Sequence, residues 1–465
     1  MRDHAGSDLI AMTAARLVDM LAAREVSTGE LLDALEARVA AVDGRINALP
    51  TLCFDRARTQ AVPEGAPLAG LPVAIKDLTE VAGVRTTWGS PIHADHVSIA
   101  SDHVAERVEA RGGVIYAKTN TPEFGAGAQT FNEVFGPTRN PYDLTKSVAG
   151  SSGGSAAALK SGCAWLAQGS DLGGSLRNPA SFCGVVGLRP SPFRVPSGPG
   201  GDPFNPLSVD GPMARTVEDC ALFLDALSGS DPREAVSLPA PERPFREWAR
   251  AAKAPLRVAV SLDLGLSPVE PVVRETVAAA ARRFEAMGAT VEEACPDLAG
   301  AHEAFQTLRA LGFARAHGDR LRNHRDLLKP EVIWNTEKGL ALTGEEIARA
   351  LTLRAGIVAR ARDFFAEWDV LVCPATCVTP FAVETRWPTS CDGVRFETYI
   401  DWLAVVYGVT LTACPALSLP GGFTAEGLPI GVQLVGGPRG EGPLLGAAAA
   451  LEAALALDPS PIDPR

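Results

Sequence analysis

The chain has 465 residues, 46% hydrophobic and 21% charged, with a formal net charge of -12. This is a globular composition with ample apolar material for a core, and the acidic balance argues against a nucleic-acid partner because it repels phosphate backbones. Nine cysteines form no regular framework, and the opening MRDHAGSDLIAM is too polar for the apolar segment of a secretory signal, so a reducing, cytoplasmic compartment is the expectation.

Residues 8–42 predict two helices. DLIAMTAARLVDMLAARE carries apolar residues at helical spacing, and STGELLDALEARVAAV opens with Ser27 and Glu30 at capping-box spacing. GLPVAIKDL predicts a short buried strand ending at Lys76 and Asp77. SDHVAERVEARGGVIYAKTN reads as helix, Gly-Gly stop and strand, GGSAAALKSG as helix, and CAWLAQGSD as strand. Such alternation points to an α/β architecture. Six prolines between 190 and 206 predict a loop. GPMARTVEDCALFLDALSG predicts a helix after a turn, and residues 229–256 a surface connection. RVAVSLDLG, VVRETVAAAARRFEAMG and ATVEEA form a strand–helix–strand unit, and residues 300–368 are mostly helical. DVLVCPAT, PALSLPGG and LPIGVQLVGG predict three late strands before a last helix, LLGAAAALEAALAL. Glu452 interrupts that most apolar stretch, so no membrane span is expected. Strands occur in both halves with no linker between them, so one large domain is expected rather than two.

The chemistry centres on two stretches, SVAGSSGGS at 147–155 and SDLGGSLR at 170–177. Ser-Ser-Gly-Gly alone reads as a loop, and it lacks the lysine and the spacing of a phosphate-binding loop. In SDLGGSLR, two glycines before a serine let the backbone approach a ligand closely. The amides of Leu172, Gly173, Gly174 and Ser175 can converge there, and a helix after Ser175 would add its N-terminal dipole. Such a turn suits a tetrahedral oxyanion, with Ser175 as the nucleophile.

A serine nucleophile needs a base. Histidine is the usual partner, yet none of His4, His93, His96, His103, His302, His317 and His324 sits at a strand end or in a glycine turn. His93, His96 and His103 in HADHVSIASDH are a conceivable metal site; a solvated loop is the plainer reading, since no ligand cysteine or acidic cluster joins them. Lys76 is the other candidate base. Ending a buried strand would partly desolvate its amine and lower its pKa toward the neutral form, although a strand-end lysine is more often exposed.

In this order, GLPVAIKDL, AGSSGGSAAAL and GSDLGGSLRNPASFCGVVGLRPS resemble the lysine, Ser-Ser-Gly-Gly and Gly-Gly-Ser blocks of the amidase signature family. The separations also fit: 175 - 151 = 24 residues between the serines and 175 - 76 = 99 from the lysine to Ser175. AKTNTPEFG, FGPTRNPYDL, GPMARTVED and LPIGVQLVG look like family segments too, and the resemblance runs from about residue 8 to 455, weakest over 229–345. It implies one amidase-signature domain over residues 1–465: a central mixed β-sheet flanked by α-helices, N-terminal helices at about 8–65, and a variable helical and loop region at about 229–345. It also implies a Ser–cis-Ser–Lys triad. Ser175 attacks the carbonyl, Ser151 relays the proton from a cis bond to Gly150, and neutral Lys76 is the ultimate base. Ser152 is expected as hydrogen-bonding support, Ser155 as a helix-start cap, and Asp171 and Arg177 as holders of the loop. No cofactor or metal is implied.

Two departures mark the chain. Val148-Ala149-Gly150 stands where the family often has Pro-Gly-Gly, and Gly125-Ala126-Gly127 follows PEF where many members carry a larger residue. The second points to a roomier substrate pocket near the acyl group. Phe124, Phe131, Phe135, Ile333, Trp334 and Trp402 are further pocket candidates, with plain core as the alternative. A segment like SSNLARYDG, typical of the A subunit of glutamyl-tRNA amidotransferase, is missing; the comparable region reads FARAHGDRLRNHRDLLKPEVIWNTEKGL. The resemblance therefore points to a free-standing hydrolase of small uncharged amides, aryl amides and anilides first, with carbamates (urethanes) and esters open. The alternatives are that amidotransferase component, which releases ammonia from glutamine, and an inactive binding homologue. The expected partner is a small-molecule substrate, neither nucleic acid nor membrane, and a homodimer is left open.

Overall fold

Short apolar runs from both halves of the chain pair into one mixed sheet of eleven strands, flanked by helices, in a computed structural model that describes residues 6–198 and 202–465. From edge to edge the strands are Thr51–Leu52, Val114–Thr119, Pro72–Lys76, Leu166–Asp171, Val209–Ala214, Val186–Arg189, Ala416–Phe423, Pro429–Gly436, Val370–Pro374, Arg257–Val260 and Thr290–Glu293. Pro72–Lys76 runs parallel to both of its neighbours, as does Arg257–Val260 to its own. The remaining pairings in this sheet are antiparallel.

The two faces of the sheet serve two apolar cores. Successive side chains of a strand point to opposite faces. Val370 and Val372 accordingly join one cluster, with the N-terminal helices, while Leu371 and Cys373 join another, with Phe305 and Tyr407. Pro72–Lys76, Val114–Thr119 and Pro429–Gly436 are buried at every position, which is why their sequences run almost continuously apolar.

Most of the expected elements form. The Ser27–Glu30 capping box opens the helix Thr28–Ile46. The first expected helix is instead two, Gly6–Ala11 and Ala14–Ala22, because Thr13 turns out of helical geometry and its side chain accepts from the Arg16 amide as an N-cap. GPMA is not a turn but part of the strand Val209–Ala214, ahead of the helix Val217–Leu227. Gly-Pro reads locally as a turn, yet sheet pairing places Pro212 opposite Gln168. The predicted proline-rich loop is irregular where it is described; residues 199–201 lie outside the described residues. Among the described residues no helix is long and apolar enough to cross a membrane.

Two parallel neighbours, Pro72–Lys76 and Leu166–Asp171, end side by side. The helices Gly153–Lys160 and Arg177–Cys183 start from loops close to those ends. The carboxyl ends of parallel strands are where α/β sheets open crevices. Gly154 is required for the fit: an added Cβ would lie 2.3 Å from the Asn120 amide nitrogen and 2.8 Å from the Ala48 carbonyl oxygen.

Candidate active site

Lys76 is the last residue of its strand and is fully buried. Its Nζ lies 2.7 Å from Ser151 Oγ, 2.9 Å from Ser152 Oγ and 3.1 Å from Ser170 Oγ. Burial lowers its pKa to about 7, against a smaller upward pull from Asp210 and Asp171. Its backbone is fixed as well, since the amide donates to Gln168 Oε1 at 3.0 Å and Gln168 Nε2 donates to Asp210 Oδ1 at 2.7 Å.

The two glycine–serine stretches meet at this amine. The Gly150–Ser151 peptide bond is cis, and the Ser152 amide donates to the Ser175 carbonyl at 3.2 Å. Ser151, Ser170 and Ser175 line one cavity of about 100 Å3 together with Leu172 and Gly173. Gly174 has φ 101°, and an added Cβ there would lie 2.4 Å from Val406 Cγ2, so only glycine fits the turn.

Asp171 ties that turn into a knot. Its carboxylate accepts from the amides of Gly174 at 2.9 Å and Leu176 at 3.2 Å. Arg177 reaches it through Nε at 3.0 Å and Nη2 at 2.9 Å, and Arg189 Nη1 lies 3.3 Å away. All three charged groups are fully buried. Burial alone would raise the Asp171 pKa, but Arg177, Arg189 and the Gly174 amide together hold it well below the usual carboxylate range. Arg177 Nη1 also donates to Gln433 Oε1 at 2.6 Å, anchoring the turn to the strand Pro429–Gly436.

Several expectations need correction. The Gly174 amide is engaged by Asp171, which leaves Leu172, Gly173 and Ser175 as the amides of that set with no partner among the described residues. The helix after Ser175 has only seven residues, so the amides themselves, rather than a long dipole, carry any pull on an anion. Gly125 and Gly127 line the cavity, but Ala126 does not. Both glycines take positive φ, and the chain between them turns Ala126 into a cluster with Phe313 and Val332, its carbonyl accepting from Lys329 Nζ. Ser155 is not a cap: it lies inside the helix, where its Oγ donates to the Gln168 carbonyl at 3.0 Å and sits 2.7 Å from Thr119 Oγ1. Of the six apolar pocket candidates only Phe124 reaches the cavity. Trp334 backs Tyr399, which does line it; Trp402 is core between Phe182 and Phe381; Phe131 lies beneath Lys329 and Arg386, and Phe135 beneath Arg85. Ile333 packs with Val332 and Leu328.

The histidine trio does not converge. His93 and His96 pack on Trp88, whereas His103 Nδ1 lies 2.9 Å from Glu234. Among the described residues no group of three or more His, Cys, Asp or Glu could hold a metal ion. Ser170 was missed by sequence reasoning. Its position beside Lys76 follows from the parallel pairing of the two strands, which single-strand patterns do not disclose.

A family model described as amidase matches residues 30–445. An acylamidase of Rhodococcus erythropolis is 34% identical over 459 residues, covering 95% of this chain and 95% of the relative. The A subunit of the glutamyl-tRNA(Gln) amidotransferase of Moorella thermoacetica is 35% identical over 485 residues, covering 96% and 97%. The solved structure of 6-aminohexanoate cyclic dimer hydrolase complexed with substrate superposes with a TM-score of 0.89 at 29% identity, covering 98% of this chain and 99% of that one.

The Asp171 knot has a direct test. Asp171→Asn keeps the shape but leaves two buried guanidinium groups without their counter-charge, so urea unfolding should register a loss of about 3–5 kcal/mol. A stability change under about 1 kcal/mol would mean the ion cluster does not hold the turn.

Proposed function

The chain belongs to the amidase signature family, whose enzymes act on carbon–nitrogen bonds, and from that premise we propose that it is a free-standing hydrolase of small apolar amides working through Lys76, Ser151 and Ser175. The observation that carries this reading is the contact of buried Lys76 Nζ with Ser151 Oγ at 2.7 Å, with Ser151 and Ser175 lining one cavity. With a pKa of about 7, the amine is largely neutral in mild alkali and has a lone pair to offer. It accepts the Ser151 proton while Ser151 Oγ accepts that of Ser175. Ser175 Oγ then attacks the carbonyl, and the amides of Leu172, Gly173 and Ser175 receive the oxyanion. The protons return along the same path to the leaving nitrogen, and water hydrolyses the acyl-enzyme. Ser152 and Ser170 hold the amine in place.

Substrate choice follows from the walls. Leu78, Phe124, Leu172, Phe305, Phe313 and Leu403 line the cavity, and burying apolar area there yields about 25 cal/mol per Å2. An aryl amide gains from that; glutamine exposes two charges to it. The relative named acylamidase supports an acyl amide. Aryl carbamates present the same carbonyl and are the next class.

Three outcomes follow. Ser175→Ala should abolish turnover and labelling by a serine-reactive probe, and Lys76→Ala or Ser151→Ala should slow kcat by about a hundred- to ten-thousandfold with the circular dichroism spectrum retained; a fully active Lys76→Ala protein would exclude lysine as the base. The rate should fall about tenfold per pH unit below pH 7 and level off above it, because only the neutral amine accepts a proton and protonation removes it as pH falls through about 7; a flat profile from pH 5 to 9 would contradict this. An anilide should show a much higher kcat/KM than glutamine in steady-state assays, and glutamine as the better substrate would favour the amidotransferase reading instead.

A further inference from the structure

Arg309 is a charged residue in the wall of this cavity with no counter-charge among the described residues. It lies on the helix Ala301–His324 between Phe305 and Phe313, at four-residue spacings that put all three on one helix face, and all three line the cavity. Arg309 is only 8% exposed. Its Nη2 donates to the Tyr399 hydroxyl at 2.8 Å, and its Nε is buried with no partner. The guanidinium carbon stands 4.6 Å from the Phe313 ring centroid and 5.7 Å from that of Tyr399. An arginine side chain carries a positive charge, and a buried ion without a counter-charge is strongly unfavourable.

The described surroundings offer nothing to neutralise it. No aspartate or glutamate among the described residues lines the cavity. Glu331 is taken by Arg386 at 2.6 Å, and Glu123 accepts from Ser90 Oγ at 2.6 Å and from the Lys329 amide at 2.8 Å. Further along the same helix face, burial pushes the His317 pKa down to about 3, and Arg320, Arg309 and Arg315 add smaller pushes in the same direction. Tyr399 is a second unmatched donor. Its oxygen accepts from Arg309 and from Asn335 Nδ2, and its own O–H has no acceptor among the described residues.

We propose that Arg309 and Tyr399 form a carboxylate-binding subsite, so that the preferred substrate is an amide with an apolar body and a single carboxylate. This rests on the hydrolase reading above and moves its preferred substrates from uncharged amides to amides that carry one carboxylate. A carboxylate would accept from the guanidinium and from the phenol at once, in the charge-assisted geometry that arginine favours. Position sets the spacing. The Phe305 ring lies against Gly173 of the Ser175 turn, so close that a Cβ there would be 2.8 Å away. Arg309 stands one helical step of four residues further on, about 6 Å along the axis. The carboxylate therefore sits on a short spacer from the scissile carbonyl. Glutamine meets only half of this requirement, since its ammonium would enter a positive field with no acid to receive it.

The test compares matched substrates on the full chain. Succinanilate and glutaranilate carry the carboxylate on the acyl side, and N-acetyl-4-aminobenzoate carries it on the leaving side; butyranilide, pentananilide and 4-methylacetanilide are their neutral counterparts. On the acyl side, the leaving side, or both, the carboxylate should raise kcat/KM about tenfold or more, mostly through KM. Arg309→Gln should bring that ratio to near one or below, and Tyr399→Phe should reduce it. Should Arg309→Gln fail to fold, the wild-type ratio and Tyr399→Phe decide. Equal or better turnover of the neutral partner on both sides, or a ratio unchanged in Arg309→Gln, would overturn the subsite while leaving the hydrolase reading intact. Failure to cleave any of the six anilides would instead remove the hydrolase reading and the subsite with it.

Discussion

An amine kept away from water is the constraint on which the rest of the site depends. Lys76 has an ordinary pKa near 10.5 and is brought to about 7 by burial. That requires a strand buried at every position to carry it, and polar partners to receive it without restoring its charge. Three hydroxyls do this. Hydroxyls both donate and accept, so they satisfy an amine in either protonation state. A carboxylate in their place would have held the proton on the lysine. Asp210 and Asp171 pull the other way by less than burial, and each is engaged elsewhere, Asp210 with Gln168 and Asp171 with its arginines.

Burial of the amine forces burial of what surrounds it, and here the fold uses a second, opposite solution. Asp171 follows Ser170 directly, at the end of the neighbouring strand. It stays ionised because Arg177 and Arg189 meet it in the interior, and that ion cluster shapes the Ser175 turn by taking up the Gly174 and Leu176 amides. Adjacent residues on one strand thus face two environments. Ser170 contributes to a neutral network around the amine, and Asp171 to a charged one that fixes the backbone.

The sequence disclosed the parts of this arrangement that reside in local patterns. The strand ending at Lys76, the αβ unit over 103–119 and the capping box at Ser27 all depend on neighbours within a few residues. The strand Val209–Ala214 was hidden because Pro212 and Gly211 argue locally for a turn, and only pairing with Leu166–Asp171 overrides them. Ser151 was legible through the resemblance of its block and not through spacing, since a cis bond leaves no compositional trace. Ala126 was misplaced because a run of three small residues says nothing about which one faces a ligand; positive φ at Gly125 and Gly127 decides that. Tyr399 and Ser208, far from the motifs, reach the cavity through tertiary packing alone.

Net charge is silent on the cavity. A balance of -12 describes the surface that a partner meets at a distance, and in physiological salt that field fades within about 8 Å. A buried cavity answers instead to the few charges in its own wall, where the dielectric is low and screening is weak. Here the wall carries Arg309, with no acid among the described residues of the lining. An arginine on an amphipathic helix reads in sequence as a solvated residue. Its burial is decided by what packs on that face, and Phe313 and Tyr399 close over it. The charge that Arg309 brings to the cavity wall is thus opposite in sign to the net charge of the chain as a whole, and only the fold reveals it.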